Sequence, residues 1–381
     1  MKVLFISEYY PSSSKGQITG GVEARCFNIA KELARKNDVV VITSYKKGEQ
    51  RKQVLDNVNV LRVGPNHKYS HKGSFISRLI FSFAAYKNAI KIKGLELVDG
   101  YSFITYLPAY FIGKKLGVSK VITYHETWIG EWIKNKGLFT GLFGEIWERT
   151  ALRKKWDKII SVSEFTKKEL IKRGVSENLI EVVPNGVSLS DYKTIKEKKY
   201  SEPGICCIGR LTPKKRVEDI IKAIKIVKKK IPEIKCRIMG TGDELARLKK
   251  LCESEKLNDS VEFLGFVEKN EDLIKTLKKS HVYCSASVLE GFGITVIEAM
   301  ACKVPYVISD IPPFKEISDN GFGGFIFKQK DYKDLAKKII LLLTDKNTYN
   351  EKCFEEEKIV EKYDWEKISK KIQIIYENIL R

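Results

Sequence analysis

Long apolar runs are missing from this chain of 381 residues. A helix that crosses a membrane needs about 18 to 20 consecutive apolar residues, and the longest candidates, such as 339–343, fall far short of that. The opening stretch has one lysine and only four apolar residues in a row, which predicts a β-strand and is too short for a secretory signal. We therefore expect a cytoplasmic protein.

Metal and redox motifs are scarce as well. The eight cysteines form no C-x-x-C pair, no D-x-D appears, and no histidine and cysteine cluster has metal-ligand spacing. Reduced and mostly buried thiols are expected in a cytosolic chain. No G-x-G-x-x-G follows a predicted strand, which argues against a dinucleotide-dependent oxidoreductase. We expect neither a metal ion nor a cofactor.

Acidic residues are outnumbered by basic ones. The chain has 69 lysines and arginines against 48 acidic residues, a net charge of +21. The first 185 residues carry 31 basic and 17 acidic residues, so most of the excess lies there. Such a field favours nucleotides, anionic lipid surfaces or nucleic acid, and lysine-rich solvated helix faces are the alternative explanation. No basic stripe with interleaved aromatic residues supports nucleic-acid binding, so we do not expect that activity.

What is present is an alternation of short β-branched runs with helical periods. The predicted strands cover residues 3–7, 39–43, 58–63, 97–100, 121–124, 158–162, 180–183, 204–209, 235–239, 261–263, 282–285, 304–308 and 324–327. Helical periods lie between them, for example at 22–35, 217–230, 243–255 and 332–343. The strand runs lack polar alternation, which is typical of strands covered on both faces. The pattern predicts two Rossmann-like, doubly wound α/β domains that face each other across a cleft.

The domain boundary is predicted in VVPNGVSLSDY at 182–192, where Pro, Asn and Gly interrupt the pattern. The predicted domains are residues 1–186 and 187–364. Residues 365–381 form an amphipathic helix that must bury its apolar stripe somewhere, and the other domain is one option. That stripe consists of Ile368, Ile372, Ile375 and Ile379.

The motif richest in chemistry is LEGFGITVIEAM at 289–300. Glycines at a helix entrance, here Gly291 and Gly293, let a phosphate approach free backbone N–H groups at the positive end of the helix dipole. Glu298, inside the helix, can accept two hydrogen bonds from a ribose diol, and Glu290 can face the hydroxyls of a sugar. A glycine turn flanked by two solvated glutamates is the alternative interpretation.

The second motif is CIGRLTPKKRVEDIIKA at 207–223. Arg210 directly follows a predicted strand, and Lys215 lies near the start of the next helix. Cations near a helix N-terminus oppose its dipole, and a bound anion would explain their presence. Lys214 and Arg216 flank Lys215, so a plain basic surface loop is the competing interpretation.

The third motif, TGGVEARCFNIAKELA, places Gly20 and Gly21 before a helix, where the backbone can approach a ligand closely. A plain loop-to-helix turn explains it equally well.

The fourth motif, VITYHETW, ends a strand with His125, whose imidazole can donate to a sugar hydroxyl or share in proton movement. The other histidines have no such context, and we expect structural roles for His67, His71 and His281.

These segments together resemble the retaining glycosyltransferases of family 4, which have the GT-B architecture. The resemblance runs through YYP, GGVE, TYHE, SVSEFTKKEL, PNGV, GRLTPKK, MGTGDE, FLGFV, EGFGITVIEAMA and WEKI, in this order. Three features depart from the family pattern. Arg216 stands where a glycine is frequent, Ser188 stands where aspartate is favoured, and the loop at 12–19 is long.

The resemblance implies a nucleotide-sugar donor held mainly by the second domain and an acceptor held by the first. It also implies that the final helix crosses back to the first domain. It implies that the diphosphate is bound by Arg210 and Lys215, the ribose by Glu298, and the sugar and phosphate by Glu290, Gly291, Phe292, Gly293 and Ile294. Gly20 and Gly21 would close over the diphosphate, His125 would face the donor sugar, and Phe266 would lie near the base.

The expected activity is therefore transfer of a hexose from a nucleoside-diphosphate sugar to a glycan, lipid-linked or small-molecule acceptor, with retention of configuration and without metal. A phosphorylase or hydrolase on the same fold is the alternative. Apolar and basic residues at 75–93, and tryptophans among the apolar residues of 128–147, would suit an acceptor at the inner face of an anionic membrane. Packing of these helices in the core is the competing explanation. The sequence defines no oligomeric state.

Overall fold

The protein is described by a computed structural model that covers residues 1–14, 18, 20–67 and 75–381. The chain forms two compact units. The first contains Met1–Asn185 and Trp365–Arg381, and the second contains Gly186–Asp364. The division thus falls between the Asn and the Gly of the PNGV segment, one residue before the position expected from the sequence.

The first unit is built on an eight-stranded sheet in the order β3-β4-β2-β1-β5-β6-β7-β8. Its strands are β1 (Lys2–Ile6), β2 (Asp38–Ser44), β3 (Lys52–Leu55), β4 (Val58–Val63), β5 (Leu97–Gly100), β6 (Ser119–Tyr124), β7 (Lys158–Ser161) and β8 (Ile180–Val182). All neighbouring strands are parallel except β3, which runs antiparallel to β4.

Helices cover both faces of this sheet. They are α1 (Gly21–Leu33), α2 (Phe75–Ala89), α3 (Phe103–Leu116), α4 (Trp132–Lys136), α5 (Leu138–Leu152), α6 (Glu164–Lys172) and α15 (Trp365–Leu380). Successive side chains of a strand point to opposite faces, so Val3 and Phe5 join the core beneath α1 and α15, while Leu4 joins the core beneath α2 and α3. Double coverage explains why these strands are apolar throughout.

The terminal helix α15 belongs to the first unit, where it packs along α1. Ile368 and Ile372 of the predicted stripe are fully buried, whereas Ile375 and Ile379 are only partly covered. Tyr376, which does not belong to that stripe, is also fully buried, and its hydroxyl donates a hydrogen bond to the buried Asp99 of β5.

The second unit contains a six-stranded parallel sheet in the order β11-β10-β9-β12-β13-β14. Its strands are β9 (Gly204–Ile208), β10 (Lys235–Met239), β11 (Val261–Gly265), β12 (Val282–Ser285), β13 (Tyr306–Ser309) and β14 (Gly324–Phe327). Its helices are α7 (Leu189–Thr194), α8 (Val217–Lys230), α9 (Leu245–Ser254), α10 (Asn270–Lys279), α11 (Ile294–Ala301), α12 (Pro312–Ile317), α13 (Tyr332–Thr344) and α14 (Lys346–Val360).

The eight cysteines form no disulfide, and seven of them are buried in the two cores. Burial raises the pKa of the adjacent Cys206 and Cys207 thiols in β9 to about 12, so both are neutral at physiological pH. They pack as small apolar groups, as expected.

Candidate functional site

The candidate site of the second unit lies at the carboxyl ends of its parallel strands. Ligands of open α/β sheets bind at this edge. Arg210 follows β9, Phe266 follows β11, and the loop with Glu290 follows β12. The glycine-rich entrance of α11 lies at the same edge. The GRLTPKK and EGFG motifs of the second unit therefore meet there.

The loops after β9 and β10 pack so closely that glycine is required in them. A Cβ atom on Gly240 would lie 1.9 Å from the carbonyl oxygen of Gly209, and one on Gly242 would lie 2.2 Å from that of Leu211. Backbone hydrogen bonds lock this contact, since Leu211 N donates to Thr241 O over 2.9 Å. The glycines of MGTGDE thus hold the backbone on which Arg210 is presented.

Lys215 and Glu290 connect the two motifs. Lys215 ends a single 3₁₀ turn, and its Nζ donates to Glu290 Oε1. The Ser287 hydroxyl donates to the same oxygen over 2.8 Å, and Val288 N donates to the carbonyl oxygen of Lys214 over 2.9 Å. The lysine and glutamate side chains keep 26% and 16% of their surface exposed, so the pair remains open to a ligand. Arg210 beside it is exposed.

Arg216 has a backbone conformation that favours glycine. Its backbone has φ +46° and ψ +45°, a left-handed conformation that glycine adopts without strain. Its guanidinium donates to Asp219 at 2.5 Å and 2.8 Å, inside the first turn of α8. This hydrogen-bonded pair raises the pKa of Arg216. The side chain is therefore engaged with its own helix, and Lys215 is the cation that reaches Glu290.

The entrance of α11 is shaped by Gly293. This residue has φ +109°, and a Cβ atom on it would lie 2.6 Å from the ring of Phe314. Phe292 is buried and packs edge-to-face on Tyr363, with ring centroids 6.1 Å apart. The Phe292 side chain thus anchors the loop, and only its backbone is placed to meet a ligand. Gly291 and Ile294 are half-buried on either side of it.

Glu298 lies one turn into α11 and carries an unusual carboxyl group. Its Oε2 is enclosed and has no hydrogen-bond partner among the described residues. Burial raises the pKa of Glu298 to about 7. A carboxylate here gains stabilisation from any ligand that donates hydroxyl hydrogens to it.

Phe266 stands at the far edge of this sheet. It follows Gly265, whose φ of +71° turns the chain at the end of β11, and its ring is 43% exposed. An exposed aromatic side chain at a strand end can stack on a planar ligand.

In the first unit, His125 follows β6 and is half-buried. Its Nε2 is enclosed, with no hydrogen-bond partner in the described part of the chain. Burial and the nearby positive charge of Arg25 lower the pKa of His125 to about 3, against a hydrogen bond to the Tyr101 backbone that raises it. The imidazole is therefore neutral at physiological pH, able to donate or accept a hydrogen bond but carrying no charge.

Arg25 is the feature that sequence reasoning missed. It points into the core from α1, fully buried, and its Nη1 donates to Pro184 O over 2.7 Å and to Asn185 Oδ1 over 3.0 Å. Burial lowers the pKa of its guanidinium, and the charge of Asp99 opposes that change. The available signal was a basic residue between the apolar positions Val22 and Cys26 of an amphipathic helix.

Asp99 in β5 is a second buried ionisable group, near enough for its charge to raise the pKa of Arg25, although no hydrogen bond joins the two side chains. Its Oδ2 accepts hydrogen bonds from the Tyr376 hydroxyl at 2.6 Å and from the Thr123 hydroxyl at 2.9 Å. Burial raises the pKa of Asp99 to about 7, although both hydrogen bonds favour the charged form. These hydrogen bonds join β5, β6 and the terminal helix α15.

The other predicted glycines and histidines have simpler surroundings. Gly20 precedes α1 in an extended conformation, and its carbonyl accepts from Ala24 N over 3.0 Å, as in an ordinary helix start. Gly21 is the first residue of α1. His67 Nε2 lies 3.0 Å from Glu8 Oε1, and His281 Nδ1 accepts a hydrogen bond from Gly204 N over 3.1 Å. His71 lies outside the described residues.

The described ranges contain no helix that is both long enough and apolar enough to span a bilayer. The same ranges contain no group of three or more His, Cys, Asp or Glu side chains arranged to hold a metal ion.

Comparison with protein families gives two matches, one for each half of the chain. The family model described as Glycosyltransferase Family 4 matches residues 19–191, and the one described as Glycosyl transferases group 1 matches residues 190–360.

Curated relatives match over most of their length. An uncharacterized glycosyltransferase of Methanocaldococcus jannaschii is 25% identical, over 100% of this chain and 99% of its own. The phosphatidylinositol N-acetylglucosaminyltransferase gpi3 subunit of Schizosaccharomyces pombe is 23% identical, over 94% of this chain and 78% of its own.

Solved structures share the fold. Sucrose-phosphate synthase from Thermosynechococcus elongatus superposes with a TM-score of 0.83 and 19% identity, over 99% of this chain and 98% of the other. Anabaena HepE in complex with UDP-glucose superposes with a TM-score of 0.78 and 17% identity, over 99% of this chain and 100% of the other. The two parallel sheets are thus those of the GT-B fold.

Proposed function

The chain belongs to the group 1, family 4-like glycosyltransferases, and we propose that it transfers a hexose from a nucleoside-diphosphate sugar to an acceptor hydroxyl. The observation that carries the proposal is the contact between Lys215 and Glu290, which brings the GRLTPKK and EGFG loops to one edge of the second sheet. The UDP-glucose bound to HepE supports the class of donor.

The diphosphate is proposed to bind between Arg210, Lys215 and the entrance of α11. Arg210 is exposed beside the interlocked glycine loops, and Gly291 and Gly293 give a phosphate access to the amides of the first helical turn. When the sugar leaves, the diphosphate gains negative charge, and fixed cations and amide dipoles stabilise that charge without reorganising. We propose that this arrangement replaces a metal ion.

The ribose is proposed to bind Glu298. A diol that donates two hydrogen bonds would satisfy the enclosed carboxylate, which lacks a partner among the described residues. Glu290 is proposed to accept hydrogen bonds from the donor hexose through its Oε2, since Lys215 and Ser287 both donate to Oε1. The charge of Lys215 holds Glu290 in place.

Retention is proposed to arise from attack on the face that the diphosphate leaves. The bond from the anomeric carbon to the phosphate oxygen breaks, and a bond to the acceptor oxygen forms on the same face. The acceptor proton passes to the departing phosphate, so no protein base is assigned. The roles of Gly20, Gly21, Phe266 and His125 remain predictions based on the resemblance.

A panel of nucleotide sugars tests the donor class. Thermal unfolding is followed by dye fluorescence with UDP-, GDP- and ADP-sugars, for the wild type, for Arg210→Ala and for the exposed-lysine control Lys249→Ala. We expect one base to stabilise the wild type and the control, by about 2.7 kcal/mol at a ligand concentration of 100 Kd, and Arg210→Ala to respond much less. Failure of every nucleotide sugar, or an equal response of all three proteins, would contradict the proposal.

Product analysis then identifies the reaction. Incubation of the preferred donor with acceptor, orthophosphate or water alone separates a transferase from a phosphorylase and a hydrolase. Proton NMR of the product reports the anomeric configuration, and activity that persists in EDTA supports metal independence. An inverted product, or activity restored only by a divalent cation, would overturn the corresponding part of the proposal.

A further inference from the structure

The carboxyl edge of the first sheet carries a cluster of ionisable side chains around Glu8, which follows β1 and is 6% exposed. Glu8 Oε1 lies 3.0 Å from His67 Nε2 and accepts a hydrogen bond from Arg78 Nε over 2.8 Å. Burial alone would raise the pKa of Glu8, but the contacts with His67 and Arg78 lower it below its ordinary value. Glu8 is therefore a carboxylate at physiological pH.

The surroundings of Glu8 fix the direction of its carboxylate. Its backbone carbonyl accepts hydrogen bonds from Ser44 N over 3.3 Å and from the Ser44 hydroxyl over 2.5 Å, at the end of β2. The Tyr9 ring stacks on His67 with centroids 5.6 Å apart, and its hydroxyl lies 3.1 Å from His67 Nε2. Since His67 and Arg78 both bind Oε1, Oε2 is the oxygen of Glu8 that can meet a ligand.

A row of aromatic rings continues from Arg78 to the end of β6. The guanidinium carbon of Arg78 lies 5.7 Å from the Phe103 ring centroid. The Phe103 ring packs edge-to-face on Trp132 with centroids 4.8 Å apart, and the Trp132 and Trp128 centroids are 5.1 Å apart. Trp128 Nε1 donates to Glu126 Oε1 over 2.6 Å. We call Glu8, His67, Arg78, Phe103, Trp128 and Glu126 the Glu8–Glu126 row.

The Glu8–Glu126 row lies where a ligand of the first unit would bind. Glu8 follows β1, Phe103 follows β5 and Glu126 follows β6, three neighbouring strands, and ligands of parallel sheets bind at this edge. Phe103 and Trp128 are half-buried, so part of each ring remains accessible. A pyranose packs its C–H groups on an aromatic ring and donates hydroxyl hydrogens to carboxylates. The row offers both kinds of contact.

The charges of the row balance each other, which decides between an uncharged and a phosphorylated acceptor. Arg78 is bound to Glu8. At the other end, Glu126 accepts from the Trp128 indole, and Lys136 Nζ lies 5.9 Å from the Trp128 ring centroid. A phosphate would have to compete with Glu8 for Arg78 and would lie beside two carboxylates. An uncharged saccharide meets neither obstacle.

We propose that the Glu8–Glu126 row is the acceptor subsite of the first unit and that it selects an uncharged saccharide. One hydroxyl of the saccharide donates to Glu8 Oε2, a second hydroxyl donates to Glu126, and the C–H face packs on Trp128. Glu8 thus determines acceptor specificity, since its charge favours a hydroxyl and repels a phosphate. This inference rests on the proposed function, because only a transferase needs an acceptor subsite.

Transfer by the full chain to paired acceptors tests the proposal. The donor is the nucleotide sugar that stabilises the wild type, and the acceptors are the methyl glycosides of glucose, galactose, mannose and N-acetylglucosamine, each compared with its 6-phosphate. The variants are Glu8→Gln, which keeps the shape of the side chain and removes its charge, and Trp128→Leu. The matched control is Glu177→Gln, because the Glu177 side chain is 70% exposed and pairs with Lys167. Tryptophan fluorescence verifies folding of the first unit, which holds all five tryptophans.

We expect the wild type and Glu177→Gln to transfer to an uncharged glycoside about tenfold more efficiently, in kcat/KM, than to its 6-phosphate. Glu8→Gln should raise the acceptor KM about tenfold and narrow that preference, and Trp128→Leu should raise the acceptor KM alone. A preference for the 6-phosphates, no transfer to any glycoside, or acceptor KM values unchanged in both variants would overturn the proposal.

Donor affinity, measured by calorimetry on the same proteins, separates this result from failure of the proposed function. Both variants should bind the donor as the wild type does. A wild type that binds no nucleotide sugar contradicts the proposed function itself. A wild type that binds the donor and transfers, with variants that use every acceptor equally well, contradicts only the acceptor assignment. If Glu8→Gln does not fold, Trp128→Leu alone decides that assignment.

Discussion

The carboxyl edges of the two sheets use charged side chains in opposite ways. In the second unit Arg210 is exposed and Lys215 is about one-quarter exposed, with glycines of positive φ beside them. In the first unit Arg25 and Asp99 are fully buried and hydrogen-bonded to other elements of the fold. The same architecture thus keeps charge available for a ligand at one edge and uses it to hold strands and helices together at the other.

The largest effect on transfer is expected from substitution of Arg210. Because its guanidinium is accessible and is proposed to stabilise the departing diphosphate, Arg210→Ala should lower kcat/KM for transfer by about 100-fold or more without changing the thermal midpoint. Steady-state kinetics with the identified donor checks this, with Lys249→Ala as the control. Wild-type kinetics in Arg210→Ala would show that the second edge does not hold the diphosphate.

Substitution of Arg25, by contrast, is expected to lower the stability of the first unit. Arg25→Met leaves the carbonyl oxygen of Pro184 and Oδ1 of Asn185 without their buried donor, so the free energy of unfolding of the first unit should fall by about 3 kcal/mol. Urea unfolding followed by tryptophan fluorescence measures it, since all five tryptophans lie in that unit.

The matched control for this experiment is Arg35→Met, because the Arg35 side chain is 60% exposed just beyond the end of the same helix. Its unfolding should change by less than about 0.5 kcal/mol. Equal loss in the two variants would mean that the buried hydrogen bonds of Arg25 do not stabilise the first unit.

The pH dependence of donor affinity tests the role of Glu298 in the second unit. Burial raises the pKa of Glu298 to about 7, so below that pH the carboxyl is protonated. Donor affinity should rise about tenfold per pH unit toward pH 7 and level off above it, as the ionised form accepts the ribose hydroxyls. Calorimetry with an intact nucleoside-diphosphate sugar avoids titration of a terminal phosphate.

The Glu298 carboxyl affects folding stability in the opposite direction, lowering it as the pH rises. Since its pKa in the folded state lies above the unfolded value, the folded chain binds more protons between about pH 4.5 and 7, and this stabilisation is lost as the pH rises through that window. Glu298→Gln should flatten both profiles. If donor affinity in Glu298→Gln kept the wild-type pH dependence, Glu298 would not be the residue that binds the ribose.

The smallest effect is expected at Arg216. Arg216→Gly relieves a left-handed backbone at φ +46° but removes the paired hydrogen bonds to the buried Asp219. These changes oppose each other at about 1 kcal/mol each, so stability measured by thermal unfolding should stay within about 1 kcal/mol of the wild type. A loss above about 3 kcal/mol would show that the ion pair with Asp219 holds the loop.

Much of the fold could be predicted because burial on both faces makes strands apolar. The strands at 58–63, 97–100, 235–239, 282–285 and 324–327 have the predicted bounds, and α8 has its predicted bounds as well. The strand β3 was not predicted, and it pairs antiparallel with β4 through a turn at Asp56 and Asn57, both with positive φ. Its sequence KQVL, at a half-exposed edge, has too little apolar character to stand out.

Less of the site could be predicted, and the reason is geometric. Motifs that are contiguous in sequence, such as EGFG, indicate where a ligand meets the backbone. Asp99 and Tyr376 are hydrogen-bonded although they lie 277 positions apart, and Arg25 is buried near them. Each of the three alone looks like an ordinary helix or strand residue. Only the fold shows that they meet, and that the Phe292 side chain faces the core.

The central claim is tested most directly by a crystal structure of the protein soaked with the nucleoside-diphosphate sugar that stabilises it. We expect diphosphate oxygens within about 3.2 Å of Arg210, of Lys215 and of the first amides of α11, with the ribose hydroxyls on Glu298. A diphosphate bound anywhere else, with Glu298 untouched, would contradict it.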